Sequence, residues 1–314
     1  MVLDLDHTDD PTYGQQELAF YNHDYKHYCS LPLVSFEGLS GALVTACLRP
    51  GTRPIGAEHA MIFVRLLAFL RRHWPRTPIL VRGDSHCATP EVLEVLAHRH
   101  RLDGVFGLAG HAVLRRHAAP VMQEARRLHQ QRTALAQAPR VCPPASRRLY
   151  AEFPSAAASW AEPWRVILKA EVMVAGDTPR CVVTSLGAPT PQRVDEEIYC
   201  ARGHGENSIQ AVTCDLHSDR TSATTFLAHA MRLLLACAAY VLHHALRTQT
   251  LQQTALAHAQ PSTVILTLFK VATQVKQSKD RLLLHLPSSC PVKALLHRVT
   301  ALRALVPLPV LNTS

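Results

Sequence analysis

Tyr199-Cys-Ala-Arg202-Gly-His-Gly-Glu206-Asn207-Ser-Ile209 places a tyrosine, an arginine and a glutamate at positions i, i+3 and i+7. At 3.6 residues per turn, these three side chains share one face of a helix. Taken alone, Arg202 and Glu206 read as a surface ion pair. Outward from this stretch, two more carboxylates stand where strand-like runs end. They are Asp6 in Val2-Leu-Asp-Leu-Asp6-His-Thr8 and Asp84 in Ile79-Leu-Val-Arg-Gly83-Asp84-Ser85. Two strand-borne aspartates and one helix-borne glutamate can converge on a pair of magnesium ions, which take hard oxygen ligands and few of them from protein. The expected chemistry is phosphoryl transfer on a nucleic-acid backbone.

The flanking pattern sets the fold class. Residues 1–8 alternate Leu3 and Leu5 with Asp4 and Asp6, as a strand does. Asp9-Asp-Pro-Thr-Tyr-Gly14 reads as a turn or loop. His27 to Phe36 and Leu43 to Leu48 read as two strands of an antiparallel meander. Residues 57–74 predict an amphipathic helix with Met61, Val64, Leu67, Leu70 and Trp74 near one face, stopped by Pro75. Thr77 to Arg82 is a strand. Thr89-Pro90-Glu91 then supplies a cap, a first-turn proline and a first-turn acid for a helix running to about His100. Leu102 to Leu108 is another strand. The order predicts an α/β fold, a mixed sheet flanked by helices.

Farther on, residues 111–138 predict a helix, followed by a loop with Cys142-Pro-Pro-Ala-Ser. Val166 to Val174 alternates cleanly and turns through Gly176-Asp-Thr-Pro into Arg180 to Leu186, a β-hairpin. Phe226 to Leu246 is apolar over the length a bilayer demands, yet it carries His229, Arg232, His243 and His244. It reads as a buried core helix, with no membrane partner expected. Residues 249–260 are a polar connector. A basic helical stretch (Lys270, Lys276, Lys279, Arg281), a Leu282-Leu-Leu-His-Leu run and a last helix from about Lys293 to Leu305 close the chain. The expected organisation is a core at 1–110, a helix-plus-hairpin insertion at 111–195, a return to the core with the third acid at 196–248, and a helical extension at 249–314.

The 314 residues are nearly half apolar, so a sizeable core can form and global disorder is excluded. Lys and Arg exceed Asp and Glu by 33 to 24, a net charge of +9 that suits a polyanionic partner. The nine cysteines, with no C-x-x-C pair, argue against a zinc ribbon or a disulfide scaffold and for reduced thiols in a cytosol. No secretory signal is visible at the N-terminus.

The motifs Asp4-Leu-Asp6-His-Thr8-Asp-Asp, Arg82-Gly-Asp84-Ser85 and Tyr199-Cys-x-Arg202-Gly-x-x-Glu206-Asn207-x-Ile209 stand in an order that resembles the DDE transposases of bacterial insertion sequences, in particular the group numbered thirteen-eighty. Asp9-Asp-Pro-Thr-x-Gly14-Gln-Gln, Leu48-Arg-Pro-Gly51, Asp219-Arg-Thr-Ser222 and Leu284-His-Leu-x-Ser288-Ser-Cys-Pro291 extend the likeness over nearly the whole chain. The resemblance implies an RNase H-like core with a β-rich insertion between the second and third acids, and a cut-and-paste reaction at the inverted-repeat ends of a mobile element. It implies Asp6, Asp84 and Glu206 as catalytic acids and as ligands of two Mg²⁺ ions, with Mn²⁺ as a substitute. Tyr199, Arg202 and Asn207 would contact DNA. The implied partner is double-stranded DNA, both element ends and target, bound by a homodimer in the bacterial cytoplasm at the nucleoid.

Asp4, on the same strand face, is the alternative to Asp6, and Asp84 reads equally as a loop or helix cap. The family carries cations where this chain has Gln210 and Thr213, more often shows glycine and an aromatic where His86-Cys87 stand, and begins with a further N-terminal segment. Two functions follow: an active metal-dependent transposase, or a catalytically silent remnant that keeps the fold and some DNA binding. A generic RNase H-like nuclease is a third.

Overall fold

The computed structural model describes residues 1–135, 146–157, 159–220, 222–279 and 281–303. The expected Cys142 loop, Thr221 and the end of the last helix at Leu305 lie outside them. The chain divides into two units: one of Met1–Asp9 with Leu18–Asn207, the other of Asp10–Glu17 with the residues from Ser208 onward.

In the chain order of the first unit, β1 (Val2–His7) is followed, after the two-residue β2 (Asp10–Pro11) of the second unit, by β3 (Phe20–Asn22), β4 (His27–Ser30), β5 (Leu33–Glu37) and β6 (Leu43–Cys47). Then come α1 (Gly56–His73), β7 (Ile79–Gly83), α2 (Pro90–Ala97), β8 (Leu102–Leu108) and α3 (Ala112–Leu135). Three long strands, β9 (Ser146–Ser155), β10 (Trp164–Met173) and β11 (Gly176–Thr184), lead into α4 (Pro191–Arg193). A π-helical turn at Val194–Tyr199 and a 3₁₀ turn at Cys200–Arg202 carry the chain on into α5 (Gly203–Gln210).

Eight strands form one sheet in the order β6-β5-β1-β7-β8-β11-β10-β9. β1, β7 and β8 are parallel neighbours, whereas β5 and β6 run antiparallel on one side and β11, β10 and β9 on the other. The hairpin expected near residues 166–186 therefore continues the main sheet, through the pairing of Val183 with Phe106.

Alternation decides which side of the sheet is which. Leu3, Leu5, Ile79, Val81, Phe106, Val166, Leu168 and Ala170 face α1, α2 and α3, where they pack with Phe63, Leu67, Leu93 and Met122. Full burial of such a side chain stabilises by roughly 1.5–3 kcal/mol. The opposite face carries Val105, Ile167 and Val182 against Val194, Ile198 and Tyr199 of the helical run after β11. That second face also carries charge. Lys169 and Glu171 are buried there, and Arg148 links Glu171 (2.5 Å) to Glu196 (3.2 Å). Tyr150 donates to Glu196 as well (2.8 Å), so hydrogen bonds tie β9 to the helical run.

Four details differ from the sequence reading. The run His27–Phe36 is two strands in two sheets, broken at Leu31-Pro32, because proline cannot donate a ladder hydrogen bond. In α1 the buried face is His59, Phe63, Leu66, Leu67 and Leu70, with Met61 and Trp74 exposed; a polar histidine in the core hides the phase of the stripe. β3 and β9 were not foreseen.

The fourth difference lies in the second unit, which holds β2, α6 (Phe226–Ala245), α7 (Pro261–Val264), β12 (Gln274–Gln277), β13 (Leu282–His285) and α8 (Lys293–Arg303). The basic stretch expected as helix includes β12, which pairs with the leucine run of β13. A small core of Leu251, Leu256, Val264 and Leu268 packs with Leu295 and Leu296. His229 and Asp10 are both buried and 2.5 Å apart. The helix α6 buries one stripe, His229, Leu233, Ala236, Cys237 and Tyr240, and leaves Leu227, Met231, Leu234 and Leu242 exposed, so it is packed on one side rather than several. By length and composition alone it is also the one described helix apolar enough to cross a membrane.

Candidate active site

The carboxyl ends of β1 and β7 set the position of the two aspartates. Leu5 pairs with Gly83 in parallel register, so Asp6 and Asp84 follow on adjacent strands. A Cβ at Gly83 would lie 2.8 Å from Cys87 Cβ and 3.0 Å from Phe106, so only glycine lets the chain turn tightly behind Asp84.

Asp4 and Asp6 share a strand face but not a role. Arg82 Nε donates to Asp4 Oδ1 (2.6 Å) and Arg82 Nη2 to Asp4 Oδ2 (2.8 Å), with both side chains buried. Arg82 Nη1 also donates to the Ile198 carbonyl (2.9 Å), so this pair fastens β1 and β7 to the helical run above them. The Asp4 carboxylate is fully engaged.

Asp6 instead meets Arg202, whose Nη1 donates to Asp6 Oδ2 at 2.5 Å. The same guanidinium donates to Glu206 Oε1 at 3.2 Å. Burial drives the Asp6 carboxyl from 3.8 up to about 6; Arg202 opposes this, while the charges of Asp84 and Glu206 add to it. Burial works against the charged form of Arg202 too, but Asp6 foremost holds it above its ordinary range. Glu206 is 63% exposed and Asn207 is also exposed, both on α5.

Burial raises the Asp84 carboxyl, but His86 outweighs it and holds the group below its ordinary value. His86 Nδ1 donates to Asp84 Oδ2 (2.6 Å) and its backbone N–H to Asp84 Oδ1 (3.0 Å). Behind them, His7 and His59 are buried with Nε2 atoms 2.9 Å apart. Burial, then His59 and Arg49, depress His7 to about 3, so both rings are neutral at neutral pH.

Tyr199 lies over Gly107: a Cβ there would meet the Tyr199 hydroxyl at 2.5 Å. The guanidinium groups of Arg180 and Arg202 stand 5.2 and 6.0 Å from its ring centre, within cation–π range. Tyr199 thus props Arg202 toward the acids. Arg180 is itself anchored on the buried Asp195 through three hydrogen bonds of 2.7–2.9 Å.

The sequence-predicted set thus gathers around one guanidinium, with Asp6 and Glu206 in its grip and Asp84 close enough to disfavour the Asp6 anion. Among the described residues, no three His, Cys, Asp or Glu side chains lie together closely enough to hold a metal ion. The donor chemistry nonetheless suits one: three carboxylates are hard oxygen donors, and Asp6, driven up to about 6 by burial with the charges of Asp84 and Glu206 adding to it, is short of positive charge. Sequence reasoning missed Arg82 as the partner of Asp4, and missed the orienting role of His86. The Arg82-Gly-Asp84 spacing, which puts Arg82 on the Asp4 face, was the available signal for the first. None of the eight described cysteines forms a disulfide, and Cys200 lies 3.0 Å from Arg180 Nη2.

Comparison with known proteins follows the same lines. The sequence profile of the family described as Transposase DDE domain group 1 matches residues 1–307. Among curated proteins, none matches. One similar solved structure is the cryo-EM structure of the piggyBac transposase synaptic complex with hairpin DNA, at 9% identity and a TM-score of 0.44. The alignment covers 78% of this chain and 47% of that one, so the chain spans about half the length of that structure.

Proposed function

Because the chain belongs to the DDE transposase domain group 1 family, we propose that it cuts and rejoins DNA phosphodiesters at the ends of a mobile element, with Asp6, Asp84 and Glu206 as its catalytic acids. One observation carries the residue assignment: Arg202 binds both Asp6 and Glu206, and Asp84 acts on the same Asp6 carboxyl. The strand order β6-β5-β1-β7-β8, with two antiparallel strands before three parallel ones, supports an RNase H-like core to which β11, β10 and β9 are added.

The three acids would hold two divalent cations, Mg²⁺ or Mn²⁺. These would supply the nucleophilic water and neutralise charge on the attacking and leaving oxygens. The protein's own share is positioning. Asp6 and Asp84 are fixed by the register of parallel strands, and His86 holds both Asp84 oxygens in place. Arg202 bridges Asp6 and Glu206, and its planar fork can grip a backbone phosphate with two hydrogen bonds. Tyr199 maintains that guanidinium at the sheet surface, and the exposed Asn207 is available to DNA.

A second reading, DNA binding without cutting, is favoured by Thr213, where the family carries a cation. The Thr213 hydroxyl donates to the Ile209 carbonyl at 2.9 Å and offers a phosphate no charge. The test is a nicking and strand-transfer assay with Mg²⁺ or Mn²⁺ on a plasmid carrying the genomic DNA that borders the reading frame. Metal-dependent nicks that Asp84→Ala, Asp6→Ala and Glu206→Gln each abolish support the first reading. Tight binding with no nicks at either metal supports the second, and full cutting by Asp84→Ala overturns the assignment.

A further inference from the structure

Beside the acids stands a hairpin that carries a cluster of exposed aromatic side chains. β3 and β4 pair in antiparallel register, with Tyr21 opposite Tyr28. The two rings meet edge to face at 5.5 Å, and the rings of Tyr21 and His23 do so at 5.2 Å. Tyr21 is 46% and Tyr28 60% exposed, and Phe20 beside them is exposed as well. Aromatic rings of this size usually bury most of their area, so a cluster left in water marks a binding surface.

Hydrogen bonds of Asn22 hold the hairpin turn. Asn22 Oδ1 accepts from the backbone N–H of Asp24 (2.9 Å), and Asn22 Nδ2 donates to the Gly51 carbonyl (3.1 Å). It also reaches the site. Asp24 Oδ2 lies 3.8 Å from Nε2 of His86, the residue that orients Asp84. Lys26, in the turn at φ 62°, adds a cation next to the aromatic pair.

We propose that the β3–β4 hairpin is a stacking platform for an unpaired nucleobase of DNA, with Tyr21 and Tyr28 receiving the base that leaves the duplex beside the phosphodiester being cut. The inference rests on the chain acting on DNA and adds to that reading the form of DNA it holds. Rings stack on any base face, so such a platform needs no sequence preference.

The test uses the intact chain and a short single-stranded oligonucleotide containing 2-aminopurine, whose fluorescence falls when it stacks on an aromatic ring. We expect quenching on binding. Tyr21→Ala and Tyr28→Ala should each weaken binding about tenfold and remove the quench, with Tyr28→Trp restoring both. Far-ultraviolet circular dichroism checks that each variant is folded. Unchanged affinity and quench in both alanine variants, or binding with no change in fluorescence, overturns the proposal. Tyrosine-dependent quenching without metal-dependent nicking leaves the platform standing and removes the transposase reading. Asp84-dependent nicking without quenching does the reverse.

Discussion

Arg202 Nη1 lies 2.5 Å from Asp6 Oδ2, and this contact offsets only part of what burial and two neighbouring carboxylates impose on Asp6. The acid titrates near 6 in the folded chain against 3.8 unfolded, so between those values the folded state holds the proton more tightly. Stability from this group is therefore present at low pH and is lost as pH rises through that window.

Asp6→Asn removes the charge that the fold disfavours. In metal-free protein, its melting temperature should exceed that of the unaltered chain by several degrees at pH 7, and by little or nothing at pH 4. Melting curves at half-unit steps between these values check it; a variant less stable at pH 7 contradicts the charge balance described for the site.

His7, the next residue, responds in the opposite sense. Its folded value is near 3 and its unfolded value 6.5, so stability is complete above 6.5 and declines as the unfolded chain takes up protons on acidification. His7→Gln should flatten the urea midpoint between pH 6.5 and 4, and an undiminished acid slope would refute a neutral His7–His59 pair.

Asp4 and Asp6 should part company under mutation. Asp4→Ala leaves the buried guanidinium of Arg82 without its bidentate partner, a loss of about 3–5 kcal/mol for a buried pair. Denaturant titration should find Asp4→Ala strongly destabilised and Asp6→Ala folded. If both stay equally stable, Arg82 does not depend on Asp4.

Gly107→Ala forces a methyl group against the Tyr199 hydroxyl, an overpacking of the kind that costs about 1–3 kcal/mol. Removing that oxygen leaves the nearest ring carbon at 3.4 Å, an ordinary contact. The double variant Gly107→Ala, Tyr199→Phe should recover most of the loss, giving a coupling in the double-mutant cycle that two independent sites do not produce.

Much of this was legible in residue order alone. The parallel strands around Val81 and Phe106, the Thr89 cap and the β10–β11 hairpin follow from alternation and turn chemistry that tertiary contacts left undisturbed. Thr89 Oγ1 does accept from the Val92 N–H at 3.4 Å. The sharing of one guanidinium by Asp6 and Glu206 was not legible, since it depends on side chains 196 residues apart. Nor was the buried face of α1, because His59 is polar by type and core by position. The exposed flank of α6 was misjudged for the converse reason: leucines signal burial on average, and nothing in their spacing says how many sides a neighbour covers.

The parallel register of Leu5 with Gly83 also constrains how such a chain can drift. Deleting one residue within Ile79–Gly83 would shift the residues that follow it by one place in the register, turning their side chains to the opposite surface and carrying Asp84 away from Asp6 while the strand still paired. Point changes can accumulate in these two strands, but length changes cannot. Insertions and deletions that spare the acids belong in the connecting loops.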